Sequence, residues 1–353
     1  MALPDVLLVQ PVTHRDARGH FLETFHAERY ARAGIPGPFV QDNLSFFAPR
    51  RAAGLHYHRP NPRGKMDLRS GRASGVNGIF STRGAMETTN ELLHDLRANY
   101  LETLKGVLLH SYWDHEAPDP SLLAKLKRLA PRFFGHSSGS STDVLEGRVW
   151  PRYAFTMIGE KRLDNLQYCC ETVIKEGIKG DFIETGVWRG GACILMRAIL
   201  KSYGISERNV WVADSFQGLP SPDPTKYPFD RHDRHHTYKE LRVGVEDVRR
   251  NFERFGLLDG QVSFLQGWFK ETLPTAPIDR LAVCRLDGDM YESTMDALSA
   301  LYFRLSSGGF LIIDDYGAVD GCRMAVMDFR SRHGIKDEIK SIDWSGVYWR
   351  KSE

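Results

Sequence analysis

The chain has 353 residues, of which 42% are apolar and 26% charged, with a formal net charge of +2 at pH 7. That mixture excludes wholesale disorder, and the near-neutral balance excludes a strongly basic nucleic-acid binder. At roughly 100–200 residues per domain the length fits two or three domains, enough to bury a core without disulfide staples.

The five cysteines, Cys169, Cys170, Cys193, Cys284 and Cys322, form no CxxC pair and no regular spacing. They read as reduced, buried thiols rather than a disulfide frame or a zinc site. No basic region followed by an apolar run opens the chain, so no signal peptide is expected. No apolar stretch approaches the ~18–20 residues that span a bilayer. A cytoplasmic enzyme acting on a small molecule, with no nucleic-acid or membrane partner, is the expected class.

The first 66 residues are β-type runs broken by Pro and Gly: Val6–Val9, Phe21–Phe25, Phe39–Val40 and Gly54–Tyr57. Residues 67–82 fall in a Gly-, Ser- and Arg-rich stretch that reads as a linker. Residues 83–150 are helical: Leu92, Leu93, Leu96, Tyr100, Leu101, Leu104, Val107 and Leu108 recur at three- and four-residue steps. Gly135–Thr142 is low-complexity. Residues 151–353 form the main domain. A helix is expected around Leu163–Ile174, after which strands and helices alternate. The strands are Asp181–Glu184, Val210–Ala213, Val262–Leu265, Leu281–Leu286 and Phe310–Ile313, with helices over Gly191–Leu200, Val245–Phe255, Met295–Leu305 and Cys322–Phe329. Strand-like stretches near Lys340–Ile342 and Gly346–Trp349 follow. Alternating βα units predict a mostly parallel sheet with helices on both faces, and ligands then sit outside the carboxyl ends of the strands.

The residues after each strand therefore matter most. Glu184-Thr185-Gly186-Val187-Trp188-Arg189-Gly190-Gly191 follows the first. Its glycines permit close backbone approach to a ligand, or simply a tight βα turn. The spacing differs from Gly-x-Gly-xx-Gly and disfavours a dinucleotide, and Glu184 suits the ammonium group of an amino acid. Asp214-Ser215-Phe216-Gln217-Gly218 follows the second strand. Asp214 there either accepts ribose hydroxyls or caps a helix. No phosphate cradle accompanies it, which points to a nucleoside without phosphates, such as S-adenosylmethionine. Trp268 and Phe269 follow the third strand, where they can lie against an adenine or plug the core. Asp287-Gly288-Asp289 and Asp314-Asp315 follow the fourth and fifth strands. Unpaired, these carboxylates repel; together they are the hard donors that Mg²⁺ or Ca²⁺ takes, unless each is a separate cap or ion pair. If Asp-Gly-Asp is extended, both of its carboxylates point to one site. Ser221–Glu240, with His232, His235 and His236, has no apolar periodicity and reads as a lid whose histidines are solvated.

From about Arg83 onward the chain resembles the macrocin O-methyltransferase family. The resemblance is carried by Thr156-Met157-Ile158-Gly159, Arg162-Leu163-Asp164-Asn165, the Glu184–Gly191 turn, Ala213-Asp214-Ser215-Phe216, Gly267-Trp268-Phe269, Arg285–Tyr291 and Asp314-Asp315-Tyr316. It implies a Rossmann-like class I S-adenosylmethionine-dependent methyltransferase fold, Mg²⁺, and methylation of a deoxysugar hydroxyl in antibiotic biosynthesis. It implies Asp287, Asp314 and Asp315 as metal ligands and Asp289 as general base. Candidate cofactor contacts are Thr156, Met157, Glu184, Gly186, Gly190, Gly191, Asp214, Ser215, Gly218 and Trp268. A homo-oligomer is expected from the same resemblance.

The first ~65 residues resemble the N-terminal part of dTDP-4-dehydrorhamnose 3,5-epimerase, through His14–Phe21, Phe39–Asn43 and Gly54–Tyr57. By that resemblance His56 is catalytic, Lys65 is a substrate lysine, and Arg18, Glu23, Gln41 and Asn43 contact a nucleotide sugar. The match stops near Lys65, short of a complete barrel, so no epimerase activity is expected. A bifunctional or remnant epimerase using His56 is the alternative reading, and an oligomerisation arm or docking surface is a third.

Overall fold

The structure, a computed structural model, describes residues 13–16, 19–26, 41–47, 82–112, 143 and 145–352. The chain divides into two compact units, Met1–Thr82 and Arg83–Glu353.

In the first unit, β1 (Thr13–Asp16), β2 (Gly19–His26) and β3 (Gln41–Phe47) form an antiparallel sheet in the order β1-β2-β3. β2 contains the expected Phe21–Phe25 run, and a register shift between Glu23 and Phe25 interrupts its pairing with β3. The Val6–Val9, Phe39–Val40 and Gly54–Tyr57 runs, residues 67–81 of the 67–82 linker and the Gly135–Thr142 stretch lie outside the described residues.

Helix α1 (Thr82–Leu108) carries the leucine stripe, and its Leu101, Leu104 and Leu108 are buried. Then come α2 (Gly159–Lys175), β4 (Asp181–Thr185), α3 (Gly191–Ser202) and β5 (Val210–Asp214). These are followed by α4 (Val245–Arg254), β6 (Val262–Gln266), the short α5 (Phe269–Thr272), β7 (Leu281–Leu286) and α6 (Tyr291–Leu301). The chain ends with β8 (Leu305–Ile313), α7 (Asp320–His333), β9 (Lys340–Ser341) and β10 (Val347–Arg350).

The seven strands of this unit run in the order β6-β5-β4-β7-β8-β10-β9. β6, β5, β4, β7 and β8 are parallel, and β10 is antiparallel to both neighbours. This is the mostly parallel α/β sheet expected from the alternating pattern. Strand alternation explains the two cores, because successive side chains leave a strand on opposite faces. Phe182, Val210, Val212, Val283 and Ile312 pack with α1 to α4 on one face. Ile183, Trp211, Ala213, Cys284 and Ile313 pack with α6 and α7 on the other. Strands buried on both faces read as continuous apolar runs, as LAVCRL does. Burying one such side chain contributes about 1.5–3 kcal/mol. All five cysteines are free and buried, as expected.

Two boundaries differ from expectation. The Met295–Leu305 helix is shifted to Tyr291–Leu301 and a 3₁₀ turn, Tyr302–Arg304, follows it. β8 begins at Leu305, which pairs with Leu281; Ser306 to Gly309 are skipped in the register with β7, and pairing resumes at Phe310 opposite Val283. No described helix is long and apolar enough to cross a membrane.

The strand order reverses between β4 and β7, so a crevice opens where the connections leave in opposite directions. The two strands stay close here: the Asp287 N–H donates to the Thr185 carbonyl at 2.9 Å. Gly186 sits at φ +82°, and a Cβ there would lie 1.7 Å from the Asp287 carbonyl oxygen. Only glycine fits that position.

Candidate active site

A cavity of about 380 Å³ lies along the carboxyl ends of the strands, within the range of small-molecule sites. Of the four described non-glycine residues with positive φ, Trp188 (47°) and Asp289 (55°) line it, and Phe216 (57°) follows the lining residue Ser215. Each follows a strand, where the chain turns sharply, and such backbone strain gathers at functional sites.

One end of the cavity is lined by Thr156, Met157, Glu184, Gly186, Asp214, Ser215, Gly218 and Trp268. Asp214 stitches two turns together. Its Oδ2 accepts the Val187 N–H at 2.8 Å and its Oδ1 accepts the Phe216 N–H at 2.7 Å. Oδ1 also accepts the Ser215 hydroxyl at 3.5 Å. Burial raises its pKa against those hydrogen bonds. Glu184 is 2% exposed and receives Arg285 on Oε1 and the Cys193 thiol on Oε2 at 2.9 Å. Burial pushes it up to about 7 despite Arg285. Gly190 and Gly191 do not line the cavity. Gly190 takes φ +84° before α3 and packs against Val248, and Gly191 lies against the Phe155 carbonyl.

The other end is acidic. Asp287, Asp314 and Asp315 place one oxygen each within 4.8 Å of one another. Asp289 lines the cavity beside them, and its N–H donates to Asp315 Oδ2 at 3.3 Å. The extended Asp-Gly-Asp segment considered from the sequence is not what forms: the chain turns through the left-handed φ of Asp289. Aspartate tolerates that region, and both carboxylates still line the cavity.

Two arginines hold the acids together. Arg285, fully buried in β7, donates to Glu184, to Asp287 Oδ2 at 2.8 Å and to Asp314 Oδ1. Arg162 of α2 donates to Asp314 Oδ2, to Asp343 Oδ2 at 3.0 Å and to the Gly147 carbonyl. Asp314 does not line the cavity; it is the hinge between the two guanidiniums. The arginines do not neutralise the cluster. Burial drives Asp287 to about 6 and Asp289 to about 7, and burial with the charges of Asp289 and Asp287 drives Asp315 well above its usual range.

The Ser221–Glu240 segment, a strap fastened at two points, contributes His235 to the cavity lining. Asp230 is buried in it and accepts the Tyr291 and Glu292 N–H groups at 2.7 and 3.0 Å, capping α6 from outside the helix. Further along, the Trp188 indole N–H donates to the Glu240 carbonyl at 2.8 Å. His235 lines the cavity between these anchors, whereas His232 is exposed.

Comparison with known proteins decides the family. The macrocin-O-methyltransferase (TylF) family model matches residues 97–351. The chain belongs to the macrocin O-methyltransferase family. The 8-demethyl-8-(2,3-dimethoxy-alpha-L-rhamnosyl)-tetracenomycin-C 4'-O-methyltransferase of Streptomyces olivaceus is 52% identical over 260 residues, 73% of this chain and 95% of its own length. The solved structure of the O-methyltransferase NovP is similar with a TM-score of 0.65 and 46% identity, covering 73% of this chain and 100% of its own. The dTDP-4-dehydrorhamnose 3,5-epimerase model matches residues 1–72. The epimerase of Pseudomonas aeruginosa is 40% identical over 67 residues, 19% of this chain and 37% of its own length.

This macrocin O-methyltransferase family member has the class I methyltransferase fold and is an S-adenosylmethionine-dependent O-methyltransferase. The cofactor end of the cavity fits that molecule: a glycine turn admits backbone contact, and Asp214 and Glu184 offer carboxylate oxygens. Arg162, Arg285, Asp230 and His235 were not legible as site residues. A lone arginine inside a buried strand is a signal of buried acids, but the sequence alone does not say which.

Proposed function

We propose that this sugar O-methyltransferase methylates a hydroxyl of a deoxysugar, with Mg²⁺ held by Asp287, Asp314 and Asp315 and with Asp289 as the general base. The observation that carries the reading is the convergence of one oxygen each from Asp287, Asp314 and Asp315 within 4.8 Å, with Asp287, Asp315 and Asp289 lining one cavity. Arg162 and Arg285 pair with Glu184, Asp287, Asp314 and Asp343, which leaves the hard oxygens of Asp289 and Asp315 without a guanidinium partner among the described residues. That is the chemistry a divalent cation fits. The rhamnosyl group in the name of the Streptomyces olivaceus relative supports a deoxysugar acceptor.

Bound there, Mg²⁺ supplies Lewis-acid polarisation of the target hydroxyl. S-adenosylmethionine supplies the electrophilic methyl group. The protein's own residues do the rest. Asp289 takes the hydroxyl proton onto its carboxylate, and a pKa near neutrality suits a general base. Arg285 and Arg162 fix the carboxylates so that the site is preorganised. Trp268, Trp344 and His235 line the cavity around the acceptor. Positioning of the hydroxyl against the cofactor accounts for much of the rate.

The test is methyl transfer from S-adenosylmethionine to a panel of dTDP-deoxysugars and glycosylated aglycones, with Mg²⁺ and with EDTA. Product that depends on Mg²⁺ is expected. Product indifferent to EDTA removes the metal, and absence of cofactor binding removes the whole reading. Epimerase chemistry is not favoured, because the match spans little more than a third of the epimerase relative's length.

A further inference from the structure

We propose that the Asp233–His235 pair positions the acceptor, with His235 Nε2 hydrogen-bonded to a ring hydroxyl next to the one that is methylated. This rests on the sugar reading above.

The geometry is specific. His235 Nδ1 lies 2.7 Å from Asp233 Oδ2, and the His235 backbone N–H donates to Asp233 Oδ1 at 2.8 Å. One carboxylate thus holds both ends of the residue and fixes the ring. Nε2 is the remaining polar atom of the ring, and it has no hydrogen-bond partner among the described residues. The side chain is 29% exposed and lines the cavity. Asp289 lines the same cavity.

The strap holds this arrangement in place. Asp230 fastens one side to the start of α6, which begins two residues after Asp289, and Glu240 fastens the other to Trp188 beside the glycine turn. His235 is therefore pinned between two anchors rather than carried on a free loop tip. With Nδ1–H given to Asp233, a neutral ring presents an acceptor at Nε2 and a charged ring presents a donor. A hydroxyl both donates and accepts, so it satisfies either state. A sugar bearing vicinal hydroxyls supplies one to Asp289 and its neighbour to His235.

A purely structural histidine would only hold the strap's turn. The distinction is a specificity ratio, measured on the full chain. Panel acceptors turned over by the wild type are each paired with a counterpart lacking one ring hydroxyl. A site built to bond a hydroxyl rejects the analogue lacking it, so the wild type should prefer one intact sugar over its deoxy counterpart at least about tenfold in kcat/KM. In His235→Ala that preference should collapse towards unity. The acceptor KM should rise about tenfold, kcat should stay within about threefold, and S-adenosylmethionine affinity by calorimetry should be kept. His235→Gln should restore part of the preference, and Asp233→Asn should fall between. A preference that survives His235→Ala overturns the proposal. So does loss of cofactor affinity in His235→Gln and Asp233→Asn alike, which would make the pair structural. A wild type that methylates no sugar of the panel removes the sugar reading, and this proposal with it.

Discussion

Four carboxylates of the site, Glu184, Asp287, Asp289 and Asp315, are all pushed upward by burial. Their folded pKa values stand above the roughly 4 of an unfolded Asp or Glu. The folded chain therefore binds more protons than the unfolded one between these values, and stability falls as pH rises through them. The metal-free chain should melt higher at pH 6 than at pH 8, and Asp315→Asn should flatten that slope. Added Mg²⁺ should raise Tm more at pH 8, where its ligands are already deprotonated. Differential scanning fluorimetry reads all three, and a Tm that climbs with pH in the metal-free chain contradicts the account. The acids themselves were legible, because they follow apolar strand runs. Their counter-charges were not: Arg162 lies more than a hundred residues from Asp314, and only the fold brings them together. The left-handed turn at Asp289 was also hidden, since aspartate carries no obligate signal for it.

At the scale of elements, the strands and helices of residues 159–350 were largely legible because burial on both faces leaves continuous apolar runs between turn residues. The strap was legible only as a segment without periodicity. Its 3₁₀ turns at Pro228–Asp230, His235–Thr237 and Lys239–Leu241 are too short to leave an apolar period. Its anchor, Asp230, acts as an N-cap for a helix sixty residues away, and capping patterns are read only locally. Asp230→Ala removes both acceptors from the α6 N-terminus and should cost about 0.5–2 kcal/mol. The strap should then open more often. Limited proteolysis within residues 219–244 should accelerate several-fold while cleavage elsewhere is unchanged. Equal rates in both chains would mean that Asp230 does not fasten the strap.

At the scale of the whole molecule, two sequence signals of different origin sit on one chain. The methyltransferase signal covers residues 97–351, and the unit that contains it, Arg83–Glu353, includes every described carboxylate and aromatic residue of the cavity. The epimerase-like signal covers residues 1–72, where the structure describes three antiparallel strands. The proposed chemistry lies in the larger unit alone: a buried acidic cluster that would hold a metal, and Asp289 as the group that would take the proton from the sugar hydroxyl. The most direct measurement is Asp289→Asn in the full chain, with turnover, S-adenosylmethionine binding and Mg²⁺ binding followed together. Asparagine is close in size and keeps the turn's tolerance of positive φ, so the fold should survive. The account predicts that both ligands still bind while turnover falls by about 10²–10⁴-fold. Turnover within a few-fold of the wild type would contradict it.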